Sequence, residues 1–330
     1  MMKASFKAIK DLRFDGMRDY YIVYPMTRMQ GSRYLTFDGS SSNTYTIDID
    51  TLKATKLDMD IGWITDFFID GDYVIALRND KSTAILKDLV MIGEIEFNVK
   101  IKKCKNNERI LGRYAQQVDQ TVYAMDEDNR LYRIEWQDIK DGKYCETLVR
   151  SEVKHFFAER RLGLATILTN DKLSLPSGTD VGLRTVDSKI KWTIVTYIAK
   201  CWIVSGDLDG QAIMTSISNK GDVRSTLKLQ LTSNGYVNGQ GNKYGGIFSI
   251  RQAFVSHRRG IMMAIERDGC CHLISISYGR MSVIQSIDSF VTPEEDYRRL
   301  RVVMAVTVTH TEGVFIVGGV NWSKMISVKI

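Results

Sequence analysis

Proline is nearly absent, with three in 330 residues, and no Ser/Pro/Gly-rich tract parts the chain. A pair of domains on a flexible linker is therefore excluded, and residues 1–330 read as one domain. Cysteine is sparse too. Cys104, Cys145, Cys201, Cys270 and Cys271 are odd in number and lack a C-x-x-C spacing. That argues against a disulfide framework or a zinc knuckle and for reduced thiols in a cytoplasmic protein. Long apolar runs are missing: stretches such as Val302 to Val306 fall far short of the roughly 20 residues that cross a bilayer as a helix. The opening MMKASFKAIKDLRFDG is broken by Lys7, Lys10 and Asp11 and has no signal-type apolar region, while Asp11 and Asp15 speak against a transit peptide. Neither charge sign dominates: 45 basic against 39 acidic residues leave a net +6. This balance permits contact with an acidic surface without demanding nucleic acid or membrane. Also missing is any capped run of about 10–15 residues with helical periodicity, so alternating strand–helix architectures are unsupported.

What is present is a repeat. An apolar strand, a short Asp/Asn/Gly turn and a second apolar strand recur seven times, at 33–49, 73–86, 121–136, 162–175, 201–217, 260–276 and 313–328. The first reads RYLTFDGSSSNTYTIDI and the sixth GIMMAIERDGCCHLISI. Their flanks are rich in β-branched and aromatic residues, and their turns carry residues that tolerate positive φ. Each hairpin is preceded by another apolar strand, and most are followed by one, such as Ile92 to Phe97 and Val223 to Leu229. The unit is four antiparallel strands. Boundaries near 17–60, 61–97, 98–150, 151–188, 189–231, 232–288 and 289–330 give a period of about 40 residues, the spacing of propeller blades.

The last unit has only three strands before Ile330, while Lys3 to Lys10 (KASFKAIK) has no unit of its own. Placing 3–10 as the outer strand of the last blade closes the ring and removes an open edge. The arrangement resembles the WD40-like β-propeller superfamily over the whole chain, in architecture rather than motif. No Gly-His opens a repeat and no Trp-Asp ends a strand: Trp136 precedes Gln137, and Trp202 precedes Ile203. The resemblance implies an all-β, seven-bladed propeller serving as an interaction platform; no side-chain network carries over.

Candidates for chemistry are few. His155, His257 and His310 lie on or just after first strands, where three imidazoles at a channel mouth would serve a metal-dependent hydrolase or lyase, yet no carboxylate or cysteine partners have ligand spacing. His272 adjoins Cys271, but neighbours on a strand face opposite sides. Asn238 to Gly245 follows GxGxxxG without a helix after it, and reads as a flexible loop rather than a phosphate cradle. Asp38, Asp80, Asp128, Asp171, Asp209 and Asp268 recur at the hairpin turns, where Asp is favoured on local geometry. No catalytic residue, metal ligand or cofactor is assigned.

The long connectors run from blade to blade, on the face that also holds the turns between second and third strands. NVKIKKCKNNER (98–109) carries Lys100, Lys102, Lys103, Lys105 and Arg109; the 231–245 stretch carries Tyr236 and Tyr244; DSFVTPEEDYRRLR (288–301) carries Arg298 and Arg299. Long loops on one face of a rigid support are where recognition concentrates. The sequence therefore predicts a non-catalytic scaffold, monomeric in itself and a subunit of a hetero-complex, with an acidic protein partner on this face. RNA or phosphoinositide binding through the lysines ranks behind, because no aromatic residues are interleaved with them.

Overall fold

The computed structural model describes the chain apart from residues 1–2, 14, 17–22, 30, 39–42, 60, 62–63, 79–81, 97–114, 119, 127, 143–144, 159–164, 184–189, 209–210, 232–235, 238–242, 245–246, 267–269, 288–301, 309–310 and 320–321. The first strand, β1 (Ser5–Asp11), is set aside for the last blade. Blade 1 comprises β2 (Val23–Arg28), β3 (Arg33–Asp38), β4 (Thr44–Asp48) and β5 (Lys53–Lys56); blade 2 comprises β6 (Ile64–Asp70), β7 (Tyr73–Arg78), β8 (Ser82–Lys87) and β9 (Val90–Glu96). Blade 3 holds β10 (Ala115–Val118), β11 (Thr121–Met125), β12 (Leu131–Glu135) and β13 (Glu146–Arg150), with a short helix α1 (Trp136–Lys140) between its last two strands. Blade 4 holds β14 (His155–Ala158), β15 (Ala165–Leu168), β16 (Lys172–Ser174) and β17 (Asp180–Gly182). Blade 5 holds β18 (Lys191–Ile198), β19 (Cys201–Leu208), β20 (Gln211–Ser218) and β21 (Val223–Gln230). After a small hairpin, β22 (Tyr236–Val237) and β23 (Lys243–Tyr244), blade 6 follows with β24 (Ile247–Ser256), β25 (Arg259–Glu266), β26 (Cys271–Ser277) and β27 (Arg280–Ile287). Blade 7 contains β28 (Val302–Val308), β29 (Glu312–Gly319) and β30 (Trp322–Lys329).

Each blade is an antiparallel four-stranded sheet in chain order, except the seventh, whose order is β1-β30-β29-β28. The first strands touch one another around the ring, β14 with β18, β18 with β24, β24 with β28 and β28 with β2, and so lie innermost. The protein is a seven-bladed β-propeller, closed by its N-terminal strand as expected.

Strands buried on both faces explain why the sequence lacks clean apolar–polar alternation: β19 and β20 are buried over most of their length. Their side chains point alternately to the two neighbouring blades. Among the described residues the core is accordingly split into seven apolar clusters, one between each pair of adjacent blades. Blades 2 and 3 share Phe68, Ile75, Ile85, Val122, Ile134 and Trp136; blades 4 and 5 share Leu168, Leu173, Trp192, Val195, Trp202 and Val204.

The closing segment grips three blades. Phe6 N–H donates to Gln285 Oε1 of blade 6 (3.1 Å), and Leu12 exchanges hydrogen bonds with Ser323 of blade 7 (Leu12 N to Ser323 O 2.8 Å; Ser323 Oγ to Leu12 O 3.0 Å). Asp15 then bridges β5 of blade 1, with Asp15 N to Leu52 O at 2.9 Å and Ala54 N to Asp15 O at 2.7 Å. Between these points Leu12 is buried with Tyr34, Tyr45, Ile47 and Ala54 of blade 1 and Ile316 of blade 7.

Outer strands present free backbone edges, and each is blunted. In five blades the pairing of the outer strand skips one residue: Ile92, Val149, Arg224, Ile284 and Lys7 are the bulged positions. The other two outer strands, β5 and β17, are four and three residues long. Bulges and shortness are the two backbone devices that prevent edge-to-edge addition.

One expectation needs correction. Within the expected flexible loop, Tyr236–Val237 pairs with Lys243–Tyr244. The five-residue helix α1 is too short to leave a periodic signal and leaves the absence of longer helical runs standing among the described residues.

Candidate functional site

Register fixes what lies on each face. In blade 6, Ile265, Cys271 and Ile287 stand side by side at one end of the sheet, next to the 267–269 turn and the start of the connector to blade 7. At the other end Ser256, Arg259, Ser277 and Arg280 stand side by side. One face of the disc therefore bears the connectors and the second-to-third turns; the other bears the first-to-second and third-to-outer turns.

Of the residues expected to meet a partner on the connector face, Lys100, Lys102, Lys103, Lys105, Arg109, Arg298 and Arg299 lie outside the described residues. Their connectors leave from Glu96 and Ile287 and rejoin the sheets at Ala115 and Val302. Tyr236 and Tyr244 are brought together as cross-strand partners of the hairpin between blades 5 and 6.

Beneath this face runs a buried polar chain. His272 Nε2 lies 2.6 Å from Glu266 Oε1, and its Nδ1 lies 2.8 Å from Ser286 Oγ, with Glu266 and His272 buried and Ser286 exposed. Glu266 ends β25, His272 is the second residue of β26 and Ser286 faces it on β27, so the chain ties three strands across the blade at its connector end. Satisfied polar groups in a low-dielectric site give rigidity and fix the register.

In blade 3 the second-to-third turn is organised by Asp126 rather than by the exposed Asp128. Asp126 accepts from the backbone of Asp128 (3.0 Å) and Arg130 (2.8 Å) and from the Arg130 guanidinium (2.7 Å). Donating to the Asp126 carboxylate raises the Arg130 pKa above its ordinary value. Asp171 accepts from Thr169 Oγ1 at 3.4 Å. The side chains of Asp38, Asp80, Asp209 and Asp268 lie outside the description.

The histidines do not converge. His155 opens an inner strand, at the connector end, while His257 follows the last residue of one, at the opposite end of the ring. His155 Nδ1 accepts the backbone N–H of Val195 in the next blade (3.3 Å), and His257 occupies a left-handed turn (φ 51°); His310 is outside the described residues. No three His, Cys, Asp or Glu side chains among the described residues approach closely enough to hold a metal ion. Lys154, beside His155, is held below the usual lysine range by burial and by the neighbouring Lys191.

Sequence reasoning missed one concentration of charge, on the turn face. Arg224 of blade 5 and Arg258, Arg259 and Arg280 of blade 6 are all exposed there. Comparing equivalent turns blade by blade would have revealed it: SNKGDVR, SHRRG and SYGRM are basic, whereas blade 2 carries Asp70, Asp72 and Asp88 in its own turns.

No family model matches the chain, and no curated protein matches its sequence. Solved structures do match in fold along nearly all of it. The N-terminal domain of Nup159 aligns at 11% identity with a TM-score of 0.61, covering 99% of this chain and 96% of that one. BBS1N, solved in complex with ARL6DN, aligns at 10% identity and TM-score 0.62, covering 100% and 98%. A streptogramin B lyase aligns at 8% identity and TM-score 0.55, covering 97% of each. Such identities establish the fold alone, and both a protein-bound propeller and an enzyme share it.

Proposed function

We propose that this chain is a non-catalytic interaction scaffold: a rigid disc, part of a larger assembly, that docks a protein partner on its connector face. The observation that carries the reading is how the buried polar and apolar groups are used. Apolar side chains are consumed in seven inter-blade clusters, and the two histidines nearest to catalytic use are held in the framework, His155 by Val195 N–H and His272 between Glu266 and Ser286. What the ring leaves free is its faces, and the longest connectors gather on one of them. Two propellers of this fold were solved in complexes, BBS1N with ARL6DN and Nup159 with dbp5 and gle1.

Within this reading Lys100, Lys102, Lys103, Lys105 and Arg109 give the connector after blade 2 a basic character suited to an acidic protein surface, while Tyr236 and Tyr244 belong to the connector after blade 5 and Arg298 and Arg299 to the one after blade 6. Affinity capture of the tagged protein from its own cells tests the proposal. A defined set of proteins is expected with the wild type, reduced at least several-fold when Lys100, Lys102, Lys103 and Lys105 are changed to Gln. Recovery of the propeller alone, or an unchanged set with the variant, refutes it.

A further inference from the structure

The turn face of blades 5 and 6 carries a second, fully described feature. Lys200, Lys220, Arg224, Arg258, Arg259 and Arg280 are all exposed in its turns, against one acid, Asp222, which pairs with Arg224 at 3.3 Å. Arg258 and Arg280 form no ion pair among the described residues. The turns that hold them are tight and left-handed: Ala199 and Lys200 have φ of 52° and 62°, His257 51°, Tyr278 52° and Gly279 84°.

The cluster is compact and built across two blades. Arg259 and Arg280 are both register partners of Ser277, which sets their Cα atoms about 10 Å apart, two strand spacings. The Arg259 guanidinium lies 5.8 Å from the Tyr278 ring centroid, and Tyr278 N–H donates to Arg258 O at 2.8 Å. Gly279 packs on Arg224: a Cβ there would fall 2.7 Å from Arg224 Cβ and 3.4 Å from Cys201 Sγ. Ser216 Oγ and Ser225 Oγ both donate to Gly279 O, the latter at 2.8 Å, and Met281 N–H donates to Ser225 Oγ at 3.2 Å. These bonds lock blade 6's turn into blade 5 and fix the guanidinium stems relative to one another.

Like charges gathered on rigid turns repel and return nothing to the fold when they are unpaired. Guanidinium forks suit planar carboxylates, which they bind through two parallel hydrogen bonds. Tyr278 is the single exposed aromatic in the cluster and Arg259 already lies over it, so the stacking series that single-stranded nucleic acid needs is missing among the described residues. Val223 and Tyr278 are the exposed apolar side chains of these turns, little for insertion into a bilayer. We propose that this arginine cluster is a second docking surface, distinct from the connector face, that takes an extended Asp/Glu-rich segment of a protein partner. Arg258 and Arg280 would hold its carboxylates, and Arg224 and Arg259 would flank them.

The test is fluorescence anisotropy with a labelled poly-glutamate peptide on wild type, Arg258→Gln/Arg280→Gln and Lys102→Gln/Lys103→Gln. Expected is binding that weakens at least tenfold in the Arg258/Arg280 variant, is unchanged in the connector variant, and falls steeply between about 50 and about 300 mM salt. The substituted side chains are exposed; Arg280→Lys, which keeps the charge and loses the fork, is the second variant and should weaken binding by a smaller factor. Equal binding by wild type and the Arg258/Arg280 variant overturns the proposal. So does tighter binding, through the same arginines, of a single-stranded RNA or of anionic phospholipid vesicles. The connector variant separates this surface from the one proposed above, since either can fail while the other stands.

Discussion

Replacing Leu12 with alanine should loosen the ring at its closure more than any change of similar size on the closing strand itself. Leu12 is 4% exposed and wedged between blade 1 (Tyr34, Tyr45, Ile47, Ala54) and blade 7 (Ile316). Those neighbours sit on paired strands that cannot collapse into the gap, so the loss belongs in the upper part of the usual range for Leu→Ala, about 4 kcal/mol. With an unfolding entropy of roughly 2.1 cal/mol/K per residue, a chain of 330 residues has about 0.7 kcal/mol/K, and the thermal midpoint should fall by about 6 °C. Ile9→Ala is the control, because Ile9 lies on the same closing strand at 38% exposure; its shift should be about 1 °C, as for most surface changes. Differential scanning calorimetry of both variants decides. Equal shifts would refute the idea that the segment after β1 is the keystone of closure.

Gly279→Ala should destabilise by about 1–3 kcal/mol, from its left-handed backbone and the contact with Arg224. Gly31→Ala, also left-handed but in open space, should cost less in the same thermal assay. Asp180 accepts from Ser174 Oγ at 2.6 Å, and this bond, with Lys172, holds its carboxyl below the usual Asp value. What it adds to stability is present above the ordinary Asp pKa and is lost as pH falls through the lower folded value; NMR titration should show that midpoint rising in Ser174→Ala. Burial pushes the Cys201 thiol up, and Arg224 and Arg258 offset part of that rise. Iodoacetamide at mildly alkaline pH should therefore label exposed Cys145 well before buried Cys201, Cys270 and Cys271, and equal rates would contradict the packing described.

The seven hairpins were legible because β-branched and aromatic flanks around Asx/Gly turns mark them locally, and the closing strand because residues 3–10 had no blade of their own. Bulges were not legible: a single skipped residue such as Ile92 or Arg224 leaves no mark in composition. Nor was the Glu266–His272–Ser286 chain, which depends on strand register rather than spacing. The histidine grouping failed for a related reason: positions on successive inner strands share a mouth only if they sit at the same end, and His155 and His257 do not. The arginine cluster joins turns from two blades, Arg224 and Arg280 being 56 positions apart, and only the ring brings them together.

The most direct test of the scaffold account is hydrogen exchange on the protein alone and with the partner recovered by affinity capture. The account predicts slow exchange through β19, β20, β25 and β26 in both states and new protection on the loop faces, led by the connectors at 97–114, 232–246 and 288–301. Protection centred on the inner strands, or a change spread through all seven blades, would contradict it.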